Sequence, residues 1–543
     1  MCLCIKDEPR TRRNAFAQRH TTTAHAVREV AMDGFRVFMN CICMCVFAAG
    51  PMRLGDFALL GNQNMGGGVP VETLIHGDSA PTAIASAYKP TLDILPLDIL
   101  PLEIAHSNAR RPNKVHVEIP ISNTSDLIKP AASLSSSWRW HNTIAPDTNH
   151  DDWKFGAAVS IHERVLAIGP ARNWDIGVDQ GGVQLYKRIG LNWFQSTAFS
   201  HPYGDTHSQF GSCVCLQNNM LLVGAPRDSQ GACESGATFL YEFFDDQWQL
   251  GATLLRSASY EADQFGAAVA CDENTLVIGA PKADQGAQDS GAVEVFERDA
   301  NGWRNVATLV SNPPKAGALF GLSVAIDAGN IIVGAPGDRT DGNFSGRAFI
   351  FSRNASGWTL ETTLSCPVGG RGWFGNAVAV NQGRVLVGAP RLTRPQQTDF
   401  DARGAAFEFQ NARDGWRCVA TIMPINTLQG DSFGCSLALH QQRAVFGASS
   451  DSLAGRLAGA AFAGTRFTNG TWNVERLVAP DCAEQQLAGH AVSIFGSSIV
   501  VGRLGNPQED PAPGAVSIFA LMPMQIAQQE VLTTSPIGEA AAP

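Results

Sequence analysis

Residues 265–309 read FGAAVACDENTLVIGAPKADQGAQDSGAVEVFERDANGWRNVATL. The stretch breaks into short strand-like pieces: Phe265 to Cys271, Thr275 to Ala280, Ala292 to Arg298, and a last piece from Trp303 to Val310. Leu276-Val277-Ile278 is continuously apolar, as a strand buried on both faces requires. The four residues Asp299-Ala300-Asn301-Gly302 tolerate the left-handed backbone of a hairpin turn. One unit of this kind is four antiparallel strands in series.

The unit recurs along the chain. Phe-Gly stands at Phe155, Phe210, Phe265, Phe320, Phe374 and Phe433, at intervals of 55, 55, 55, 54 and 59 residues, and Ala488-Gly489 is a degenerate seventh copy. Thirteen residues after each of these glycines comes another: Gly169, Gly224, Gly279, Gly334, Gly388, Gly447 and Gly502. Four of them open Gly-Ala-Pro. A third glycine follows at Gly181, Gly236, Gly291, Gly346, Gly404, Gly459 and Gly514, with a four-residue insertion before Gly404. Trp193, Trp248, Trp303, Trp358, Trp416 and Trp472 then open the fourth strand. The seventh unit has no such Trp downstream, but Trp138 lies 55 residues before Trp193. The periodicity therefore predicts an all-β fold, a seven-bladed β-propeller of four-stranded antiparallel blades spanning 134–522. Its ring is closed by the N-terminal strand 138–144 pairing with the C-terminal strand 515–519, which removes two sheet edges.

Composition agrees with a packed fold and narrows the function classes. Of 543 residues, 44% are hydrophobic and 17% charged, which excludes wholesale disorder. A net charge of −10 argues against a nucleic-acid partner. No run of 18 apolar residues occurs, so no membrane-spanning helix is expected.

Phe-Gly, a 13-residue gap and Gly-Ala-Pro resembles the FG-GAP repeat of the integrin α-subunit propeller and its bacterial relatives. The resemblance covers most of the chain and implies an extracellular propeller for adhesion or ligand recognition. Blades of that family often carry a Ca²⁺ loop rich in Asp between the first two strands. Here that connection is short and acid-poor, as in Val380-Asn381-Gln382-Gly383-Arg384, and a hard cation wants about 6–8 oxygen ligands. No cofactor is therefore expected, with Ca²⁺ left open as the alternative although the family-type loops are absent. Asp147, Asn149 and Asp151 have the alternate spacing of a cation loop but lack its Gly and final Glu, and read as an Asx-rich turn.

A residue present once per blade is expected to pack between blades, so the recurrent Phe and Trp read as core. Ser235, Ser290 and Ser345, with Asp263 and Asp431, read as turn caps. The loops joining strands two and three share one face with the loops that lead into the next blade, and they are the long, variable ones. Their charged residues are the ligand-face candidates: Arg227, Asp228, Lys282, Asp284, Asp338, Arg339, Arg391, Arg394, Asp399, Asp401, Arg403 and Asp451. The insertion in the fifth unit, from Arg391 to Arg403, is the leading partner-contacting feature. Asp228, Asp338 and Asp451 fall in one register, which suits either turn caps or a ring of acids. No motif of a known catalytic constellation occurs, and His201 and His207, sharing one loop, are expected to be solvated. The chain is thus expected to be a binding or adhesion module for a protein or glycan rather than an enzyme. A structural scaffold and a hydrolase with a cross-blade site are the alternatives.

Residues 1–53 carry an apolar run, 37–52, between Arg36 and Arg53 that resembles a secretory signal, with Met32 as a candidate start. The expected location is secreted, periplasmic or cell-surface, a cytoplasmic protein being the alternative. Residues 54–133, with Pro96 and Pro101 ending two Leu-Asp-Ile-Leu repeats, read as a low-complexity linker, and 523–543 as a disordered tail. Cys41-x-Cys43-x-Cys45 falls in the apolar run and reads as part of it. Eight cysteines fall in the repeats, with pairings that the sequence leaves open.

Overall fold

A computed structural model describes residues 136–146, 154–169, 181–205, 207–342, 344–393, 402–505 and 513–523. The candidate signal, the linker, the tail beyond 523, the Asp147–Asp151 turn, and Arg394, Asp399 and Asp401 lie outside them.

The described residues form seven four-stranded antiparallel sheets arranged in series, the blades of a propeller. Blade 1 runs 158–200, blade 2 213–254, blade 3 268–309, blade 4 323–365, blade 5 378–422 and blade 6 437–477. Blade 7 takes three strands from 491–523, and its outer strand is Ser136–Ile144 from the other end of the repeat array. The pairing runs from Trp138 opposite Leu521 to Ile144 opposite Val516, so the ring closes where the Trp spacing placed it.

Within a blade, burial follows position. The second strand, such as Thr275–Ala280, is buried throughout because it has a sheet neighbour on each side and a blade on each face. The outer strand, such as Gly302–Leu309, alternates between half-buried and exposed residues. In blades 1 to 5 the outer strand carries a bulge, placed in blade 3 between Val295 and Phe296 of its partner. The extra residue increases local twist, which fans the blade outward.

The core lies between blades. Phe320 packs among Val277, Val293 and Val295 of blade 3 and Ile331, Val333 and Phe349 of blade 4. All six Phe of the Phe-Gly pairs are completely buried. The glycines of the repeat meet at the same seams. A Cβ on Gly279 would lie 2.0 Å from the carbonyl oxygen of Gly321 in the next blade. The seam between blades 7 and 1 is built alike, with Gly502 against Gly156.

The Trp residues behave differently from the Phe. Trp138 and Trp193 are buried, but Trp303, Trp358, Trp416 and Trp472 keep one edge wet. Trp358 Nε1 donates to Glu297 Oε1 of the preceding blade at 2.9 Å, Trp416 Nε1 to Glu361 at 2.9 Å, and Trp472 Nε1 to Glu408 at 2.8 Å. An arginine joins two of these carboxylates: Arg353 to Glu297 at 2.7 Å and Arg466 to Glu408 at 2.8 Å. At these three positions the Trp is thus a latch across the seam as well as packing, whereas the buried Nε1 atoms of Trp138 and Trp303 have no hydrogen-bond partner among the described residues.

Candidate functional site

Among the described residues, the loops between strands two and three of blades 2 to 6 form a collar on one rim, each bonding through its backbone to the loop entering the next blade: Ala262 N to Cys233 O (3.0 Å), Leu319 N to Asp289 O (3.2 Å), Trp373 N to Phe344 O (3.1 Å), Gly430 N to Ala402 O (2.7 Å) and Leu487 N to Leu457 O (3.0 Å). The strand-two loops and the blade-entry loops therefore share a face, as expected of a propeller.

The acids singled out in the sequence are turned into the collar rather than displayed on it. Asp228, Asp338 and Asp451 are buried and accept the backbone N–H two residues on, from Gln230 (2.7 Å), Thr340 (2.7 Å) and Leu453 (2.9 Å). Ala283 and Leu392 occupy the same register and are buried too, so the position is interior whatever its side chain. Of the two readings for this register, turn caps describe the structure and a displayed ring of acids does not. Asp451 also pairs with Arg476, and Asp284 caps Asp289 N at 2.7 Å. Lys282 is half-buried near Asp289. Arg227 lies 3.6 Å from Glu234, and Arg403 donates to Thr427 O at 2.7 Å. Ser235 and Ser290 act as caps, accepting from Ala232 N (2.9 Å) and Gln285 N (3.0 Å). Asp263 accepts from Tyr260 N at 2.9 Å and pairs with buried Arg256 at 2.7 Å.

His201 is not solvated, contrary to the expectation from its loop. Its ring is buried, with Nε2 2.6 Å from Asp228 Oδ2, while Nδ1 accepts from Tyr203 N and Asp205 N, each at 3.2 Å. Nε2 ties the loop into blade 2 to the loop within that blade, and Nδ1 braces its own loop, so both ring nitrogens serve a structural task.

Arg339 and Arg391 stand apart from the capping residues. On the collar of blades 4 and 5, the Arg339 guanidinium lies 4.8 Å from the Phe344 ring centre, and Arg391 lies 4.5 Å from that of Trp373. The two rings are 6.3 Å apart. The result is a row of Arg339, Phe344, Trp373 and Arg391, with Phe344 40% exposed and Trp373 half-buried. Burial lowers the Arg391 guanidinium to about 10, which leaves it cationic at neutral pH. The insertion begins beside this row, its base closed by a bridge between Thr393 and Ala402. Phe344 and Trp373 were missed in the sequence. Each precedes a residue of the repeat (Ser345 or Phe374), where other units carry Glu234, Asp289 or Leu457 and Gln264, Leu319 or Leu487. Two aromatics in these two registers of one seam were the available signal.

The ring axis holds a cavity of about 310 Å³ lined by the first strands. Blades 1 and 3 contribute Ala157, Ala158, Ala267 and Ala268, whereas blades 4 to 7 contribute Ser323, Asn376, Ser436 and His490. Burial pushes the His490 imidazole down to about 4, so it is neutral at pH 7. Among the described residues no group of three His, Cys, Asp or Glu is placed to hold a metal ion, and no helix is long and apolar enough to cross a membrane.

A family model described as FG-GAP repeat matches residues 248–296 and 303–351. The chain carries FG-GAP repeats in a seven-bladed propeller. Each matched window opens on the outer strand of one blade and continues into the next, so the FG-GAP frame crosses the very seams that Phe and Gly build. No curated protein matches the chain. An FG-GAP propeller is a general binding module.

Proposed function

We propose that this FG-GAP propeller is a non-enzymatic recognition module, secreted or displayed at the cell surface, that binds a protein or glycan through the collar of blades 4 and 5. The observation that carries the reading is the row Arg339, Phe344, Trp373 and Arg391. Among the other described candidates, Asp228, Asp284, Asp338 and Asp451 cap backbone N–H groups, and Arg227 and Arg403 bond within the fold. In the row two cations and two aromatics meet at the surface, the residue types in which binding energy concentrates. The apolar run 37–52 supports export.

The test is a binding screen of the full chain against a glycan array and against cell-envelope and host-surface proteins. Trp373→Ala and Arg339→Ala are run beside it. A specific ligand should lose about 2 kcal/mol with Trp373→Ala, or about 30-fold in Kd, with the melting temperature of Arg339→Ala unchanged. A ligand retained at full affinity by both variants would move the site off this seam.

A further inference from the structure

Adjacent blades touch at a fixed pair of positions on their first strands. The fourth residue after the Phe-Gly glycine of one blade meets the fifth after that of the next. In the seam from blade 7 to blade 1, Ser493 Oγ accepts the Ile161 N–H at 3.1 Å. From blade 1 to blade 2, Ser160 Oγ accepts the Leu216 N–H at 3.0 Å. In the next seams round the ring Ala270 shares a core with Ile326, Ala325 with Val380, Ala379 with Leu439, and Ala438 with Ile494. The rule is a small residue against a large aliphatic one. The seam from blade 2 to blade 3 breaks it. There the two positions are Cys215 and Cys271, with their Sγ atoms 3.0 Å apart.

We propose that Cys215 and Cys271 are a cross-blade disulfide site, oxidised to a covalent clamp between blades 2 and 3. The sulfurs are about 1 Å farther apart than the bond of ~2.05 Å, so closure needs only a small side-chain adjustment. A shared metal ion does not suit them. Tetrahedral zinc at ~2.3 Å from each sulfur would hold the two about 3.8 Å apart. Cys215 is half-buried and Cys271 buried, so Cys215 is the less enclosed residue of the pair. The contact with Cys271 also lowers the Cys215 thiol, which favours it as the attacking thiolate, and raises Cys271.

The oxidant is a low-molecular-weight disulfide. The Cys215 thiolate attacks one of its sulfurs, forms a mixed disulfide and expels the first small thiolate. Cys271 then gives up its proton and attacks the Cys215 sulfur, forming the Cys215–Cys271 bond and expelling the second. Two electrons pass from the protein thiols to the small disulfide, and the two protons end on the two released thiols.

The test treats the folded, reduced full chain with oxidised glutathione, blocks remaining thiols with iodoacetamide, and maps peptides without reduction. The expected product is one cross-linked peptide pair containing Cys215 and Cys271, two hydrogens lighter than the sum of its parts. The melting temperature should rise on oxidation by several degrees and fall back with reductant. Cys215→Ser and Cys271→Ile restore the side chains that the neighbouring seams use. Either should fold, show no such pair and lose the reductant-sensitive shift. Recovery of both cysteines as alkylated thiols from folded, oxidant-treated protein would overturn the proposal. So would a link that forms only after denaturation.

Discussion

Gly266 shows how little freedom a seam residue has. Its φ is +89°, and a Cβ there would lie 2.5 Å from the carbonyl oxygen of Ala237 in the preceding blade. Gly302 has φ +111° with nothing within 4 Å of a built Cβ. Gly302→Ala should therefore carry only the backbone cost, about 1–2 kcal/mol, and Gly266→Ala clearly more, read from chemical-denaturation midpoints. Two titrating residues act with opposite sign. His490 is depressed to about 4 from 6.5 by burial, so the unfolded chain takes the proton first and stability falls as pH drops through that window. Asp431 is raised to about 6 from 3.8, chiefly by burial, so its contribution is present at low pH and lost as pH rises towards 6. Between pH 7 and pH 4.5, His490→Asn should lose less melting temperature than the parent, and Asp431→Asn more. Equal pH slopes for all three proteins would contradict this.

At the scale of strands, the outer hairpin of each blade is held by its neighbour as well as by its own sheet. Glu408 is buried and receives Arg466 and Trp472 from blade 6. Glu408→Ala should cost about 3 kcal/mol, since it leaves a mostly buried guanidinium without its carboxylate. A double-mutant cycle with Arg466→Met should recover part of that loss. The four strands of a unit were legible because their apolar runs and turn residues are local. The bulge opposite Val295 and Phe296 was not, because no Gly or Pro marks it and it arises from the twist of the whole sheet. The latch was missed for a related reason. Glu297 and Trp358 are 61 residues apart, and nothing in either local sequence points to the other.

For the ring as a whole, closure by Ser136–Ile144 is the decisive contact, since it joins the two ends of the array. Deleting 136–144 should leave blade 7 with three strands and a bare edge along 515–523. We expect a broadened, lower-temperature unfolding transition and concentration-dependent association, measured by calorimetry and light scattering. A chain that stayed monomeric with an unchanged transition would contradict this account of closure.

Blade number, strand order and the closing strand were determined by the sequence itself. Each rests on a spacing that repeats about every 55 residues, and a repeat can be counted without coordinates. The use of individual side chains was decided only by tertiary structure. Asp228, Asp338 and Asp451 suit either turn caps or a displayed ring of acids in the chain and are interior caps in the ring. Phe344 and Trp373 look like variants of turn positions and form a surface row with Arg339 and Arg391. Cys215 and Cys271 lie on different repeats and come within 3.0 Å. The reason is the same in each case. A propeller's strands are specified within a unit, whereas its seams are made between units, where the direction of a side chain depends on the neighbouring blade.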